Sequence, residues 1–184
     1  MPLFNKQELR GTLTFNESIL KSASIRAEDR AKPLSQKFKI FLSHSYSDRE
    51  FIPKLRETIQ NMGFTTYVDW IDDNDLNRSD VSKETAERLR QRMKNCECLF
   101  FVTSANSPNS KWMPWECGYF DALKGNVAIC PITEKPETGD SYNGQEYLGL
   151  YYYVVNGSKL WIHEADKKYT SLENWLNGSK PTLH

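Results

Sequence analysis

The stretch FKIFLSHSYSDREF, residues 38–51, predicts the start of a parallel α/β fold. Its first six residues form a nearly continuous apolar run, which is typical of a strand that is buried on both faces of a sheet. The polar residues after it include Ser47 and Glu50, whose spacing matches a capping box at the beginning of a helix. A strand that leads through a polar turn into a helix is the first half of a βαβ unit.

Outward from this stretch, helical and strand-like segments alternate along the chain. The helical segments repeat apolar residues at every third or fourth position, as in Phe51, Leu55 and Ile59. The further strand-like segments are TTYVD (65–69), CLFFVTS (98–104), NVAICPI (126–132) and, as a last strand, either YYYVV (151–155) or KLWIH (159–163). This alternation predicts a flavodoxin-like open parallel sheet with the strand order 2-1-3-4-5 and helices on both faces.

The beginning of the chain differs from the rest. Residues 17–31 carry apolar side chains at helical spacing, and Pro33 would end such a helix. We therefore predict an N-terminal helical arm over residues 1–36, followed by one domain over residues 37–184. The segment TSLE (170–173) has the spacing of another capping box and predicts a final short helix.

The composition limits the possible partners and the compartment. The 184 residues contain 24 Lys plus Arg and 24 Asp plus Glu, and a net charge of zero argues against binding to nucleic acid or to an anionic membrane. No apolar run approaches the ~18 residues of a membrane span, and the N-terminus lacks the apolar core of a signal peptide. These features predict a cytoplasmic protein.

Neither the cysteines nor the acidic segment predicts a metal site. The four cysteines fit no common zinc spacing and are expected to be free buried thiols in a reducing compartment. Asp72, Asp73 and Asp75 lie close together, but they lack the glycine and distal glutamate of a calcium loop. We therefore predict a solvated loop at this segment and no metal.

Polar residues collect where the predicted sheet would bind a ligand. In an open parallel sheet the ligand lies beyond the carboxyl ends of the strands, at the point where the strand order reverses. That point is between the first and third strands, and the residues predicted to converge there are Ser43, His44, Ser45, Tyr46, Asp69, Trp70, Ser104, Trp112 and Glu116.

Trp112 and Glu116 are predicted to share one face at the start of a helix. They are four residues apart, so that the indole can form a wall beside the carboxylate. Pro114 is tolerated in a first helical turn and predicts a start at residue 113 or 114. The N-terminus of the helix would stabilise an ionised Glu116.

Several motifs resemble those of a TIR domain, in the order and at the spacing of that family. They are FLSHSYSD (41–48), YVDWIDD (67–73), LFFVTSANSPNSKW (99–112) and WMPWE (112–116), and the resemblance extends over about residues 37–165. One departure is the segment LNRSD (76–80), where many TIR domains have a glycine in the loop after the second strand.

The resemblance implies an enzyme that cleaves the nicotinamide–ribose bond of NAD+. By that resemblance Glu116 is the catalytic residue, NAD+ is the substrate, and no separate cofactor is needed. The chain is similar to the stand-alone bacterial TIR proteins of Thoeris-type anti-phage systems. Those make a cyclic ADP-ribose-type signal for a separate effector, and TIR enzymes generally act after self-association through TIR surfaces.

Two alternative functions stay open at this point. The first is a non-enzymatic TIR interaction module in signalling, which would need no catalytic glutamate. The second is an enzyme similar to nucleoside deoxyribosyltransferases, which also use a glutamate at a ribosyl carbon. The key motifs of that second class are not found, and the presence of Glu116 together with Trp112 disfavours the first.

Overall fold

The structure is a computed structural model that describes residues 2–10, 33–73, 76, 82–134, 142 and 146–184. The described strands are β1 (Phe4–Asn5), β2 (Phe38–Ser43), β3 (Thr66–Tyr67), β4 (Cys96–Thr103), β5 (Val127–Thr133), β6 (Tyr152–Asn156), β7 (Leu160–Ala165), β8 (Lys168–Ser171) and β9 (Thr182–Leu183). The described helices are α1 (Lys6–Arg10), α2 (Ile52–Asn61), α3 (Asp69–Asp72), α4 (Lys83–Lys94), α5 (Trp112–Lys124) and α6 (Leu172–Leu176). Short 3-10 turns cover Tyr46–Asp48, Ser107–Asn109 and Glu146–Leu150.

The sheet confirms the predicted topology. Its main path runs β3-β2-β4-β5-β6 with parallel pairing, which is the order 2-1-3-4-5 for the five predicted strands. Both candidates for the last strand are strands: β6 pairs with β5 in parallel, and β7 returns antiparallel to β6. The short strands β8 and β9 then extend the same edge in antiparallel fashion.

Helices cover both faces of this sheet, as predicted. On β2 the side chains of Ile40 and Leu42 pack with the core on the side of α2 and α6. Phe41, which lies between them, packs with the core on the side of α4 and α5. This alternation follows from the two-residue period of a strand, and it decides which helix each residue at the end of β2 can reach.

The two predicted capping boxes are not formed as expected. Ser45, rather than Ser47, caps the 3-10 turn after β2, and α2 begins at Ile52 without a side-chain cap. The reason is that Asp48 turns inward to the loop after β4, so that the chain bends before the helix begins. The final helix does form at α6, but its cap is Ser171, which accepts a hydrogen bond from the Asn174 N–H.

Residues 2–10 pack on the sheet. Strand β1 pairs in parallel with the carboxyl end of β5, and the Asn156 N–H donates to the Pro2 carbonyl. The ammonium of Lys6 is 2.6 Å from the Glu134 carboxylate. The helix predicted over residues 17–31 lies outside the described residues, and the boundary between an arm and a domain at residue 36 stays a prediction.

Within the described ranges, no helix combines the length and the apolar character that are needed to cross a membrane.

Candidate active site

Glu116 and Ser43 are in direct contact at the carboxyl end of β2. Glu116 lies in the second turn of α5 and is 0% exposed. The Ser43 hydroxyl donates a hydrogen bond of 2.6 Å to its Oε2 atom. Ser43 reaches α5 because it is two residues after Phe41 and therefore points to the same face of the sheet. The structure thus brings together two of the predicted site residues.

The helix that carries Glu116 begins at Trp112, slightly earlier than predicted. The Ser110 hydroxyl accepts a hydrogen bond of 3.3 Å from the Met113 N–H, so the first turn is stabilised from the preceding loop. Pro114 lies within this first turn, where a backbone N–H would have no partner in the helix.

Trp112 forms part of an aromatic row along α5. Its indole is largely buried and meets the Trp115 ring edge-to-face at 5.4 Å. Trp115 stacks on Tyr119 at 5.8 Å, and the Arg90 guanidinium lies 5.4 Å from the Trp115 ring centre. Trp112 therefore packs one helical turn before Glu116, on the α4 and α5 side of the sheet.

His44 points to the opposite face of the sheet, and its two ring nitrogens make hydrogen bonds within the protein. Its Nδ1 is 2.8 Å from the Leu42 carbonyl, which can only accept, so Nδ1 carries the proton. Its Nε2 then accepts a hydrogen bond of 3.0 Å from the Trp70 indole N–H. The imidazole is thus held as the neutral Nδ1–H tautomer, with Asp69 Oδ1 3.7 Å from Nε2.

Three further predicted site residues, Ser45 and Tyr46 after β2 and Trp70 after β3, differ in accessibility. Ser45 is buried and caps the 3-10 turn. The Tyr46 side chain is 54% exposed, and the Arg49 guanidinium lies 4.8 Å from its ring centre. Trp70, on α3, is partly buried against the core on the α2 side. Among these residues, Tyr46 and Trp70 therefore present aromatic surface to solvent.

Ser104 has a buried partner that sequence reasoning missed. Its hydroxyl donates to the Asp48 carboxylate at 2.5 Å, and the Asn106 side-chain amide donates to the same carboxylate at 2.7 Å. Asp48 is 0% exposed. In the sequence Asp48 lies inside the predicted capping box, between Ser47 and Glu50, and no local signal indicates a partner 56 residues away.

The acidic segment after β3 forms buried ion pairs, so the prediction of a solvated loop is wrong for Asp72 and Asp73. Asp72 accepts from Arg56 at 2.8 Å. Asp73 accepts two hydrogen bonds from Arg92, at 2.9 and 2.5 Å, and one from the Tyr67 hydroxyl. Burial, and next the charge of Asp73, raise the pKa of Tyr67 well above its usual value.

The described residues hold no group of three or more His, Cys, Asp or Glu side chains that could bind a metal ion. Asp75, the third aspartate of the acidic segment after β3, lies outside the described residues.

The four cysteines are free and buried, as predicted. Burial raises the pKa of the Cys96 thiol to about 12 and that of the Cys117 thiol to about 11. Because the thiolate is the reactive form, these thiols are suited to packing rather than to nucleophilic chemistry.

Comparisons with known proteins identify the family and two relatives of this chain. The family profile described as "TIR domain" matches residues 40–167, which include most of β2, all of β3 to β7 and the Ser43–Glu116 contact. A protein from Bacillus cereus (strain MSX-D12), named "Probable 3' cyclic ADP-D-ribose synthase ThsB'", is 52% identical over 146 residues, which cover 76% of this chain and 75% of that protein. A second relative, from Cytobacillus dafuensis, is named "Putative cyclic ADP-D-ribose synthase TIR2"; it is 33% identical over 94 residues, which are 50% of this chain and 24% of that protein. With a matching profile over most of its length and a relative this similar, the chain belongs to the TIR domain family.

Proposed function

We propose that this protein cleaves the nicotinamide–ribose bond of NAD+ and closes the ADP-ribosyl product into a cyclic signal for bacterial anti-phage defence. The observation that carries this proposal is the position of Glu116, which is hydrogen-bonded to Ser43 at the point where the strand order reverses. The names of the two relatives, one a "probable" and one a "putative" cyclic ADP-D-ribose synthase, support the same reaction.

One carboxylate is sufficient for this chemistry. As the bond between ribose C1′ and the nicotinamide nitrogen breaks, positive charge develops on the sugar in an oxocarbenium-like state. The bonding electron pair moves to nicotinamide, which is cationic in NAD+ and leaves as a neutral base, so no general acid is required. In our proposal the Glu116 carboxylate stabilises the developing charge and holds the ribose hydroxyls.

The second step decides the product. A nucleophile attacks C1′, forms the new bond with its lone pair and releases a proton to solvent. If the nucleophile is water, the product is ADP-ribose; if it belongs to the ADP-ribosyl group itself, the product is cyclic. A site that excludes water favours the cyclic product, and the burial of Glu116 and Ser43 supports that outcome.

In this proposal Ser43 first holds Glu116 and then yields to substrate. Glu116 is inaccessible while its carboxylate is bonded to Ser43 and covered by protein. Substrate binding must therefore uncover it, with a ribose hydroxyl donating to the Glu116 carboxylate in place of the Ser43 hydroxyl. In this proposal, self-association through TIR surfaces triggers that change.

The remaining predicted site residues take two kinds of role in this proposal. Tyr46 and Trp70 have accessible aromatic surface and contact the substrate, and Trp112 forms the wall beside Glu116. The others lie behind them and position them: His44 and Asp69 behind Trp70, Ser45 at the turn that carries Tyr46, and Ser104 against Asp48.

We also propose that the protein acts in the cytoplasm, without a cofactor, and reaches a separate effector only through its nucleotide product.

A product assay by mass spectrometry tests this function. The wild-type protein, Glu116→Ala and Glu173→Gln are each incubated with NAD+, with and without a crowding agent that promotes association. Glu173 is the matched control because it is an exposed glutamate in the first turn of another helix, α6.

The proposal expects nicotinamide and a cyclised product from the wild type and from Glu173→Gln, and neither from Glu116→Ala. A linear ADP-ribose product would support the proposed cleavage of the nicotinamide–ribose bond but would contradict the proposed cyclisation. If the wild type associates yet releases no nicotinamide, the protein is an interaction module instead.

A further inference from the structure

A buried carboxylate links the two loops that flank the candidate active site. Asp48 ends the 3-10 turn after β2, and both of its carboxylate oxygens accept hydrogen bonds from the loop after β4. The donors are the Ser104 hydroxyl, at 2.5 Å, and the Asn106 amide, at 2.7 Å. A carboxylate without solvent contact is costly unless it is hydrogen-bonded, so these two contacts hold the loops together.

The loop that Asp48 holds is connected to α5 by a series of short-range hydrogen bonds. The Ser104 hydroxyl accepts from the Asn106 N–H, and the Ser107 hydroxyl donates to the Ser104 carbonyl. The Ser110 N–H donates to the Ser107 carbonyl, and the Ser110 hydroxyl accepts from the Met113 N–H. The series begins at Asp48 and ends in the first turn of the helix that carries Glu116.

Glu116 reaches Ser43 only if this helix starts in the right place. The carboxylate and the hydroxyl are 2.6 Å apart, and Ser43 is fixed by its pairing with Phe101 of β4. A shift of the first turn of α5 by a fraction of a turn would move Glu116 out of reach. An error of about 1 Å in the placement of a catalytic group can cost roughly a hundredfold in rate.

We propose that Asp48 is a positioning residue for Glu116: by holding Ser104 and Asn106, it sets the start of α5 and thereby the place of the catalytic carboxylate. The proposal rests on the proposed function, because it assigns Glu116 the catalytic role. Asp48 itself contacts neither the substrate nor the reacting atoms; it acts through the loop after β4.

The chemistry of the side chain explains why an aspartate is needed at this position. Ser104 and Asn106 present donors to two different carboxylate oxygens. In Asp48→Asn one of these oxygens becomes an NH2 group, which can only donate, so one of the two contacts is lost. Asp48→Ala would lose both, and Ser104→Ala would remove one donor while leaving the carboxylate in place.

The experiment measures loop order and catalysis in the same set of variants. Hydrogen–deuterium exchange of residues 104–113 and the kcat and KM for nicotinamide release are recorded for the wild type, Asp48→Asn and Ser104→Ala. Asp73→Asn is the control, since Asp73 is also a buried carboxylate with side-chain donors, but its partners lie on β3 and α4. Each variant is measured at the same number of degrees below its own unfolding temperature.

In Asp48→Asn we expect faster exchange in residues 104–113 and a kcat lowered by roughly ten- to a hundredfold, with KM changed by less than about threefold. Ser104→Ala should show the same pattern more weakly, and Asp73→Asn should leave exchange in this segment unchanged. Unchanged exchange or an unchanged kcat in Asp48→Asn overturns the proposal. An inactive wild type would instead overturn the proposed function, and the catalytic part of this inference with it.

Discussion

The Ser43 hydroxyl donates a hydrogen bond of 2.6 Å to the Glu116 carboxylate, in a place where neither side chain has solvent contact. The two residues are 73 positions apart, and their contact joins β2 to α5, the helix that follows β4. The catalytic carboxylate in our proposal is therefore fixed by the fold itself, at the topological switch point of the sheet.

Removal of the Ser43 hydroxyl should weaken both stability and activity. Ser43→Ala leaves a buried carboxylate with one donor fewer, which costs about 1–3 kcal/mol of unfolding free energy. Urea unfolding measures this loss, and nicotinamide release should fall in parallel. In a Glu116→Ala background the same substitution should cost much less, because the acceptor is already gone. Equal costs in both backgrounds would show that the hydrogen bond contributes nothing.

The tautomer of His44 should depend on Trp70. Because the indole N–H donates to Nε2, the wild type should show an unprotonated Nε2 and a protonated Nδ1 in long-range 1H–15N NMR spectra. Trp70→Phe removes that donor, so the Nε2 resonance should shift and the unfolding free energy should fall by about 1 kcal/mol.

Trp161→Phe is the matched control for this change. The Trp161 indole N–H has no hydrogen-bond partner among the described residues, so its loss should leave the His44 resonances in place. Protonation at Nε2 of His44 in the wild type at neutral pH would contradict the assignment.

The ion pair between Arg92 and Asp73 should be a major contributor to stability. Both groups are buried, and Arg92 also donates to the Pro33 carbonyl at 2.7 Å. Arg92→Met leaves a buried charge without its partner, which costs about 3–5 kcal/mol. Urea unfolding should show this loss, whereas Lys168→Met, in an exposed pair with Glu164, should cost less than about 1 kcal/mol. Similar costs for the two variants would be inconsistent with a buried ion pair.

The stability of the protein should fall in alkaline solution. Burial raises the pKa of Cys96 from 9.0 to about 12, so that the folded state keeps the thiol proton at pH values where the unfolded state loses it. The contribution of the protonated Cys96 thiol to the unfolding free energy is complete below pH 9.0 and is lost as the pH rises towards 12. Over that window the unfolding free energy should fall by about 1.4 kcal/mol per pH unit for this thiol.

Cys96→Ala tests the alkaline effect. It should lower the unfolding free energy at neutral pH, through lost packing. Between pH 9 and 10, however, the unfolding free energy of the variant should decline less steeply than that of the wild type, by up to about 1.4 kcal/mol per pH unit, because one titrating thiol is gone. Denaturant titrations at several pH values measure both slopes. The same slope in the variant and the wild type would mean that Cys96 ionises equally in the folded and unfolded states.

The features that the sequence predicts well are those that depend on periodicity. The apolar run at 38–43 and the strand-like segments after it predict the parallel sheet, and the predicted strand order brings Ser43 and Glu116 close together, as their hydrogen bond confirms. The period of a strand also accounts for the separation of Ser43 and His44 on opposite faces, since the two residues are adjacent.

The features that the sequence does not predict depend on partners far along the chain. Ser47 and Glu50 have the spacing of a capping box, but the long-range contact of Asp48 with Ser104 overrides it. Asp73 likewise belongs to a loop in the sequence and to a buried ion pair in the fold, because its partner Arg92 comes 19 residues later. Local spacing carries no information about such pairs.

The most direct test of the central claim is the rate of nicotinamide release by the wild type and by Glu116→Gln under identical conditions. Glutamine keeps the shape of the side chain and can still accept from Ser43, but it carries no charge to stabilise an oxocarbenium-like sugar. We predict a rate that is lower by at least about a thousandfold in a variant with an unchanged unfolding temperature. A folded Glu116→Gln protein that releases nicotinamide at the wild-type rate would contradict the assignment of Glu116 as the catalytic residue.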